Sequence, residues 1–193
     1  MLSSQAQSTK FVIKTEYGQI KGYLFDDTPQ HRDNFKKLIQ DGWFNNSNFH
    51  RVINQFMIQG GQNADGRQDP GYTIPAEINL KHVHIKGALA AARMGDQVNP
   101  QKASSGSQFY IVQGRKADDN MLTQMETRGK FKYTDEQRNL YKTIGGTPHL
   151  DNGYTVFGEI TEGLDVADKI AAVKTLPGDK PEKTVLFSIE LVK

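Results

Sequence analysis

The sequence predicts a mainly β protein, with short antiparallel strands closing into a barrel and helices as caps. Two observations carry this. Short stretches rich in isoleucine, valine, phenylalanine and tyrosine recur along the 193 residues, punctuated by glycine and proline. Only two or three amphipathic helical stretches lie among them, and no internal repeat is visible.

The elements follow in order. Residues 1–9 are polar and expected to be disordered, which leaves one domain over 10–193. FVIKTEYGQIKGYLF, residues 11–25, reads as two strands turning at Tyr17-Gly18. A helix follows. Thr28 stands at the N-cap, and Pro29 takes the first helical position, where its missing N–H costs nothing. Phe35, Leu38 and Ile39 form an apolar stripe, and Gly42 is placed to end it. FHRVI and QFMIQ, within residues 49–59, read as strands. Residues 62–76, with Gly66, Pro70, Gly71 and Pro75, read as loop. HIKGALAAAR (84–93) reads as a strand, although its alanines suit a helix equally and local propensity does not choose. SQFYIV (107–112), preceded by Gly106, and YTVFGEI (154–160) read as strands. GLDVADKIAAV (163–173) is a second amphipathic helix, and TVLFSIELVK (184–193) a closing strand. Phe49, Ile53, Ile58, Phe109 and Phe157 are assigned to the core.

One segment breaks the rhythm. Residues 117–146 are polar and helix-prone. Thr134 with Gln137 makes a capping box, Leu140, Tyr141 and Ile144 make a stripe, and Gly145 can end the helix. The segment reads as an insertion over about 116–147, its charges forming a solvated face.

Composition excludes several functions. Basic and acidic residues number 24 and 22, for a net charge of +2, which gives no argument for nucleic acid. There is no cysteine, so thiol catalysis, disulfides and cysteine-bound zinc are out. No window reaches the roughly 18 apolar residues of a membrane span. The polar start lacks an apolar signal core, which fits a cytoplasmic N-terminus and equally a mature periplasmic or cell-envelope protein. His82 and His84 would share a strand face, but no carboxylate stands at a telling spacing, and no metal is expected. No cofactor is implied, and nothing indicates anything but a monomer.

Arg51 raises a question. It sits in an apolar strand pattern, between Phe49 and Val52-Ile53, and a guanidinium is costly to desolvate. Taken alone, pairing with a carboxylate is the ordinary explanation.

A joint pattern offers another. FHRVI-x-x-FM-x-QGG, GALAAAR, SSGSQFYI and HLDNGYTVFGEI occur in this order. Together they resemble the motifs of the cyclophilin family of peptidyl-prolyl cis–trans isomerases over roughly residues 11–192. The resemblance implies a closed eight-stranded antiparallel barrel with a helix over each end. It implies rotation about Xaa-Pro bonds of unfolded or extended polypeptides, with no cofactor. It also implies site residues. Arg51 matches the catalytic arginine, and His50 the histidine beside it. Phe56, Met57, Tyr110 and Leu150 match the proline pocket. Gln59 matches the glutamine that steadies the arginine, and Gln108 a rim glutamine. Ala92 and Arg93 match the alanine–asparagine pair whose backbone meets the peptide.

There are departures. Tyr110 stands for phenylalanine, Arg93 for asparagine, His149 for tryptophan and Tyr154 for histidine. Losing tryptophan argues against tight cyclosporin binding, since that ring would supply a large apolar contact and a donor. The insertion, which leads directly into His149-Leu150, is expected to border the pocket. The competing functions are a non-catalytic proline-peptide module and a holdase-type chaperone. The presence of both Arg51 and Gln59 favours the enzyme.

Overall fold

The structure, a computed structural model, describes residues 9–192. The expected disorder of the N-terminal tail falls outside these residues, Thr9 excepted.

The chain opens on the expected hairpin, β1 (Lys10–Thr15) and β2 (Gly18–Leu24), with Ile13 opposite Ile20. Helix α1 (Pro29–Gln40) buries His31, Phe35, Leu38 and Ile39, and Gly42 leaves it at φ +72°. Pro29 opens the helix as expected, but Thr28 does not cap it with its side chain. The first free N–H groups, of Gln30 and His31, donate to the Glu77 carboxylate at 3.1 and 2.9 Å. That acceptor is distant in sequence, so no local pattern could reveal it.

Strands β3 (Ser47–Asn48) and β4 (Arg51–Ile53) are one extended run interrupted at Phe49-His50. Strand β5 (Met57–Gly60) pairs with β4 through a turn that holds Gln55 at φ +61°. Within the expected loop, β6 (Thr73–Ile74) makes a short ladder with β8 (Ser104–Ser105). The alanine run is a strand, β7 (Ala88–Ala91). Ladders on both sides decide this, from β9 (Phe109–Val112) and β10 (Val156–Glu162), so pairing overrides helical propensity.

The insertion holds two helices, α2 (Asp119–Gly129) and α3 (Asp135–Thr143). The expected capping box at Thr134 forms, with Gln137 N–H donating to Thr134 Oγ1 at 3.1 Å and Thr134 N–H to Gln137 Oε1 at 3.0 Å. Ala117, Leu122, Tyr133 and Tyr141 form a separate small core, which the lobe shares with Val83 from the segment before β7. The expected stripe is only partly buried. Tyr141 is inaccessible, whereas Ile144, at the helix end, turns out to solvent. Both ends of the lobe meet, Arg115 pairing antiparallel with Gly146.

Helix α4 (Leu164–Ala171), a small hairpin of β11 (Thr175–Leu176) and β12 (Lys180–Pro181), and β13 (Leu186–Val192) complete the chain. One antiparallel sheet has the order β3-β13-β1-β2-β10-β7-β9-β5-β4. This corrects the expected closed eight strands. There are nine, and the edge strands β3 and β4 share no ladder. The backbone crosses the seam at Phe49-His50. The break in one strand accounts for the extra count.

Phe49, Ile58, Phe109 and Phe157 lie in the main core with Phe11, Phe35 and Phe187. Ile53 does not; it is half-buried against a second cluster on the outer face of the sheet. Period two explains both outcomes. In β4 only Val52 points inward, while Arg51 and Ile53 point out. An arginine therefore interrupts the apolar pattern without entering the core. Among the described residues, no helix is long and apolar enough to cross a membrane.

Candidate active site

The outer face of β5, β7 and β9 carries a second apolar cluster, built on Met57, Ala90, Tyr110 and Val112. It opens into a cavity of about 250 Å³ lined by Arg51, Phe56, Met57, Gln59, Ala92, Arg93, Tyr110, Leu150 and Tyr154. Nine of the twelve site residues read from the sequence are thus brought together. Met57 and Gln59 share a strand face, as period two requires, and Ile58 between them faces the core.

His50, Gln108 and His149 do not line the cavity. His50 is half-buried behind Arg51, its Nδ1 buried without a partner among the described residues. Burial, then the Arg51 charge, holds its pKa below the ordinary imidazole value. His149 is exposed, with its ring 5.5 Å from that of Phe56. Gln108 sits one step along the rim. Its Oε1 accepts from Gln59 Nε2 at 3.1 Å, and its own amide donates to the Gln68 carbonyl at 3.0 Å.

Arg51 is held differently from expectation. Gln59 lies opposite it in the ladder but turns its amide to Gln108. Arg51 Nε donates to Asp179 Oδ2 at 3.3 Å instead. Asp179 occupies the left-handed turn of the β11–β12 hairpin, at φ +62°, and its carbonyl accepts from Val52 N–H at 2.8 Å. The hairpin thus covers the free edge of β4 and delivers a carboxylate to the guanidinium. Sequence reasoning missed Asp179. The turn signal Pro177-Gly178-Asp179 is visible, but its reach across to β4 is not. The two Nη groups of Arg51 have no partner among the described residues, and the side chain is 44% exposed.

Arg93 is immobilised. Its Nε donates to the Gly153 carbonyl at 2.7 Å, Nη1 meets Asp96 at 2.6 Å, and the guanidinium carbon lies 4.5 Å from the centre of the Tyr154 ring. Of the backbone pair, Ala92 is already satisfied. Its N–H donates to Gln108 O, and its carbonyl accepts from Ser105 N–H. The Arg93 N–H and C=O have no partner among the described residues. A shallow groove continues from here past Gln59, Ala92, Arg93 and Gln108 to the exposed Met94 and Val98.

Other polar clusters serve structure. His82 packs on Phe25 and bonds Asp27, so it forms no pair with His84. No group of three or more metal-ligating side chains occurs among the described residues. His31 bridges Glu77 (2.6 Å) and Ser104 (2.9 Å), the order of a nucleophilic triad. Ser104 is 1% exposed, however, so no substrate reaches it.

A barrel with an apolar cavity on its outer face, edged by a guanidinium with two unengaged Nη groups and by an open backbone segment, has the features of a ligand-binding surface. Residues 10–190 match the family model described as "Cyclophilin type peptidyl-prolyl cis-trans isomerase/CLD". A Staphylococcus saprophyticus relative, named "Putative peptidyl-prolyl cis-trans isomerase", is 35% identical over 95% of this chain and 92% of its own. A Staphylococcus aureus relative of the same name is 35% identical over 97% and 93%. Among solved structures, a Cryptosporidium parvum cyclophilin-type isomerase aligns with a TM-score of 0.69 at 22% identity, covering 96% of this chain and 98% of that one. A second structure of that protein, described as in the presence of the dipeptide Ala-Pro, aligns with a TM-score of 0.68 at 21% identity, covering 95% and 99%. The chain belongs to the cyclophilin-type peptidyl-prolyl cis–trans isomerase family.

Proposed function

We propose that Arg51 is the catalytic group and that the 250 Å³ cavity seats the proline ring of an extended polypeptide. The observation that carries this reading is a guanidinium with unengaged Nη donors at the edge of an apolar pocket. The Ala-Pro dipeptide named for the structural neighbour is an Xaa-Pro segment of the kind the pocket suits.

The chemistry follows from amide resonance. Rotation about the bond before proline faces a barrier of about 18–20 kcal/mol. No bond breaks, so the enzyme has only to favour the twisted state. Twisting returns the lone pair to the prolyl nitrogen, which becomes a better acceptor. A guanidinium donor there binds the twisted state more strongly than the planar one. Each tenfold in rate needs about 1.36 kcal/mol, and one charge-assisted hydrogen bond supplies about 1.5–3 kcal/mol. Orientation supplies the remainder. Phe56, Met57, Tyr110 and Leu150 wall the ring, Gln59 and Gln108 meet the flanking peptide, and the open Arg93 backbone pairs with it. His50 backs Arg51, while Ala92, His149 and Tyr154 shape the rim. All of these residues come from one chain, which supports action as a monomer.

The test is cis-to-trans exchange of a short Xaa-Pro peptide, followed by NMR. Wild type accelerates exchange, and Arg51→Ala lowers kcat/KM by about 100-fold or more, ~2.7 kcal/mol, while remaining folded. A folded Arg51→Ala variant with undiminished activity would refute the assignment.

A further inference from the structure

Behind the pocket lies a buried polar chain that the mechanism above does not use. The Asp151 side chain is 1% exposed. Its Oδ1 accepts from the His84 backbone N–H at 2.8 Å and from His84 Nδ1 at 2.7 Å. Its Oδ2 accepts from the hydroxyls of Tyr133 at 2.6 Å and Tyr141 at 2.5 Å. Four donors thus saturate one carboxylate, which offsets its desolvation. Nδ1 faces the carboxylate, which leaves Nε2 as the ring atom turned toward the pocket. It lies 3.0 Å from the Tyr110 hydroxyl. Tyr110 is in the pocket wall, whereas Tyr133 and Tyr141 belong to the inserted lobe.

We propose that Tyr133 and Tyr141 are positioning residues for the proline pocket: through Asp151 and His84 they fix the Tyr110 hydroxyl, and with it the ring on which proline rests. This role rests on the reading of the cavity as the proline seat. The lobe contributes no residue to the cavity lining, so it acts from behind. The chain of contacts also gives the Tyr110 hydroxyl a purpose. A buried hydroxyl needs a partner, and here the partner's ring orientation is set by the lobe. The Asp151–His84 link is doubled, through backbone N–H and ring, and the Tyr133 hydroxyl also lies 3.3 Å from the Pro148 carbonyl, whereas Tyr141 reaches the carboxylate by one bond. Removing the two lobe donors leaves Asp151 Oδ2 unsatisfied and the carboxylate held through Oδ1 alone, which loosens the tilt of the His84 ring bonded to it.

The effect falls on binding rather than on the chemical step. Tyr110 supports the ring but does not face Arg51 as a donor. A loosened wall weakens planar and twisted substrate alike, which raises KM and spares kcat.

The experiment is a double-mutant cycle on the full chain, with kcat and KM read on an Xaa-Pro peptide. Tyr133→Phe with Tyr141→Phe is expected to raise KM about fivefold, with kcat within about twofold. In a Tyr110→Phe background the same two substitutions are expected to change KM by less than about twofold, because the hydroxyl they act through is gone. Tyr141→Phe alone is the milder variant should the double one fail to fold. The His84 ring ¹⁵N shifts give a second readout. Wild type shows one sharp set of ring shifts, and the lobe variants show broadened or multiple sets. Equal KM effects in both backgrounds, or no KM effect with a folded protein, would overturn the proposal. Arg51→Ala, assayed alongside, separates the two readings. If it abolishes activity while the cycle is additive, only the positioning role fails. If it leaves activity intact, the reading of the pocket fails first.

Discussion

Arg51 shows how one residue can satisfy an ordinary structural reading and a functional one together. A carboxylate partner is what any strand arginine would be expected to find, and Asp179 is that partner. The pair is nearly half exposed on both sides, so it adds at most about 1 kcal/mol to stability. Its use is directional. By taking Nε, Asp179 leaves both Nη groups aimed elsewhere. Asp179→Gly, which removes the carboxylate and keeps the left-handed turn, should therefore leave thermal stability almost unchanged and lower kcat several-fold, with KM held. Paired melting and peptide-exchange measurements check this, and a large loss of stability with intact kcat would contradict it. Lysine at position 51 would not serve, because it offers no planar fork to be fixed at one nitrogen and to donate from another.

Elements show what local sequence can and cannot carry. The start of α3 is local: Thr134 and Gln137 stand three apart, and the box they form was legible. The start of α1 is not. Pro29 marked the position, but the acceptor came from Glu77, placed there by the loop that precedes β7. The strand β7 was ambiguous for the same reason, since its identity depends on two neighbours remote in sequence. Residues of the pocket were legible because they lie in short contiguous motifs, on β4, β5 and β9 for Arg51, Met57, Gln59 and Tyr110, and beside strands or in short turns for the others. Asp179, His84 and Asp151 were not, because their meaning lies in contacts with residues far away in the sequence.

The junction at α1 has a pH signature. Burial holds the His31 pKa below its ordinary value, against the opposing pull of Glu77. The unfolded chain thus takes up this proton first as the pH falls below about 6.5, and stability declines from there toward the lower folded value. His50 and His149 are depressed too, and add in the same direction. Burial would raise the Glu77 pKa, but the His31 ring and the two helix N–H groups lower it on balance. Its share of stability is lost in more acid solution, from the ordinary carboxylate range downward toward the lower folded value. Melting temperature should fall between pH 7.5 and 5.5, and less steeply in His31→Asn. A wild-type profile that is flat or rises on acidification would show the sign to be wrong.

At the scale of the whole molecule, two units share one chain. The barrel has its core, and the lobe has a smaller one shared with Val83, the two units joined at the bridge between Arg115 and Gly146. Because the neck is closed, replacing residues 116–145 by a short turn should leave the barrel able to fold. The cost should be a lower melting temperature, since His84 and Asp151 lose their cover and Asp151 loses two donors. Fluorescence of Trp43, the single tryptophan, which is buried in the barrel core, reports the transition. A deletion variant that fails to fold at all would mean that the lobe is integral to the barrel.

The pairing of β1 with β13 has a consequence for how the protein is made. Phe11 faces Leu191 and Ile13 faces Ile189 across that ladder, so the first strand waits for partners translated about 180 residues later. At about 5–20 residues per second, the ribosome takes roughly 10–35 s to deliver them. Throughout that interval β1 can pair with β2, but its other edge stays open, and Phe187 is missing from its place against Phe49 and Phe109. This member of an isomerase family is thus itself a late folder. Its own nascent chain spends most of its synthesis presenting the kind of unpaired, apolar strand edge that invites aggregation.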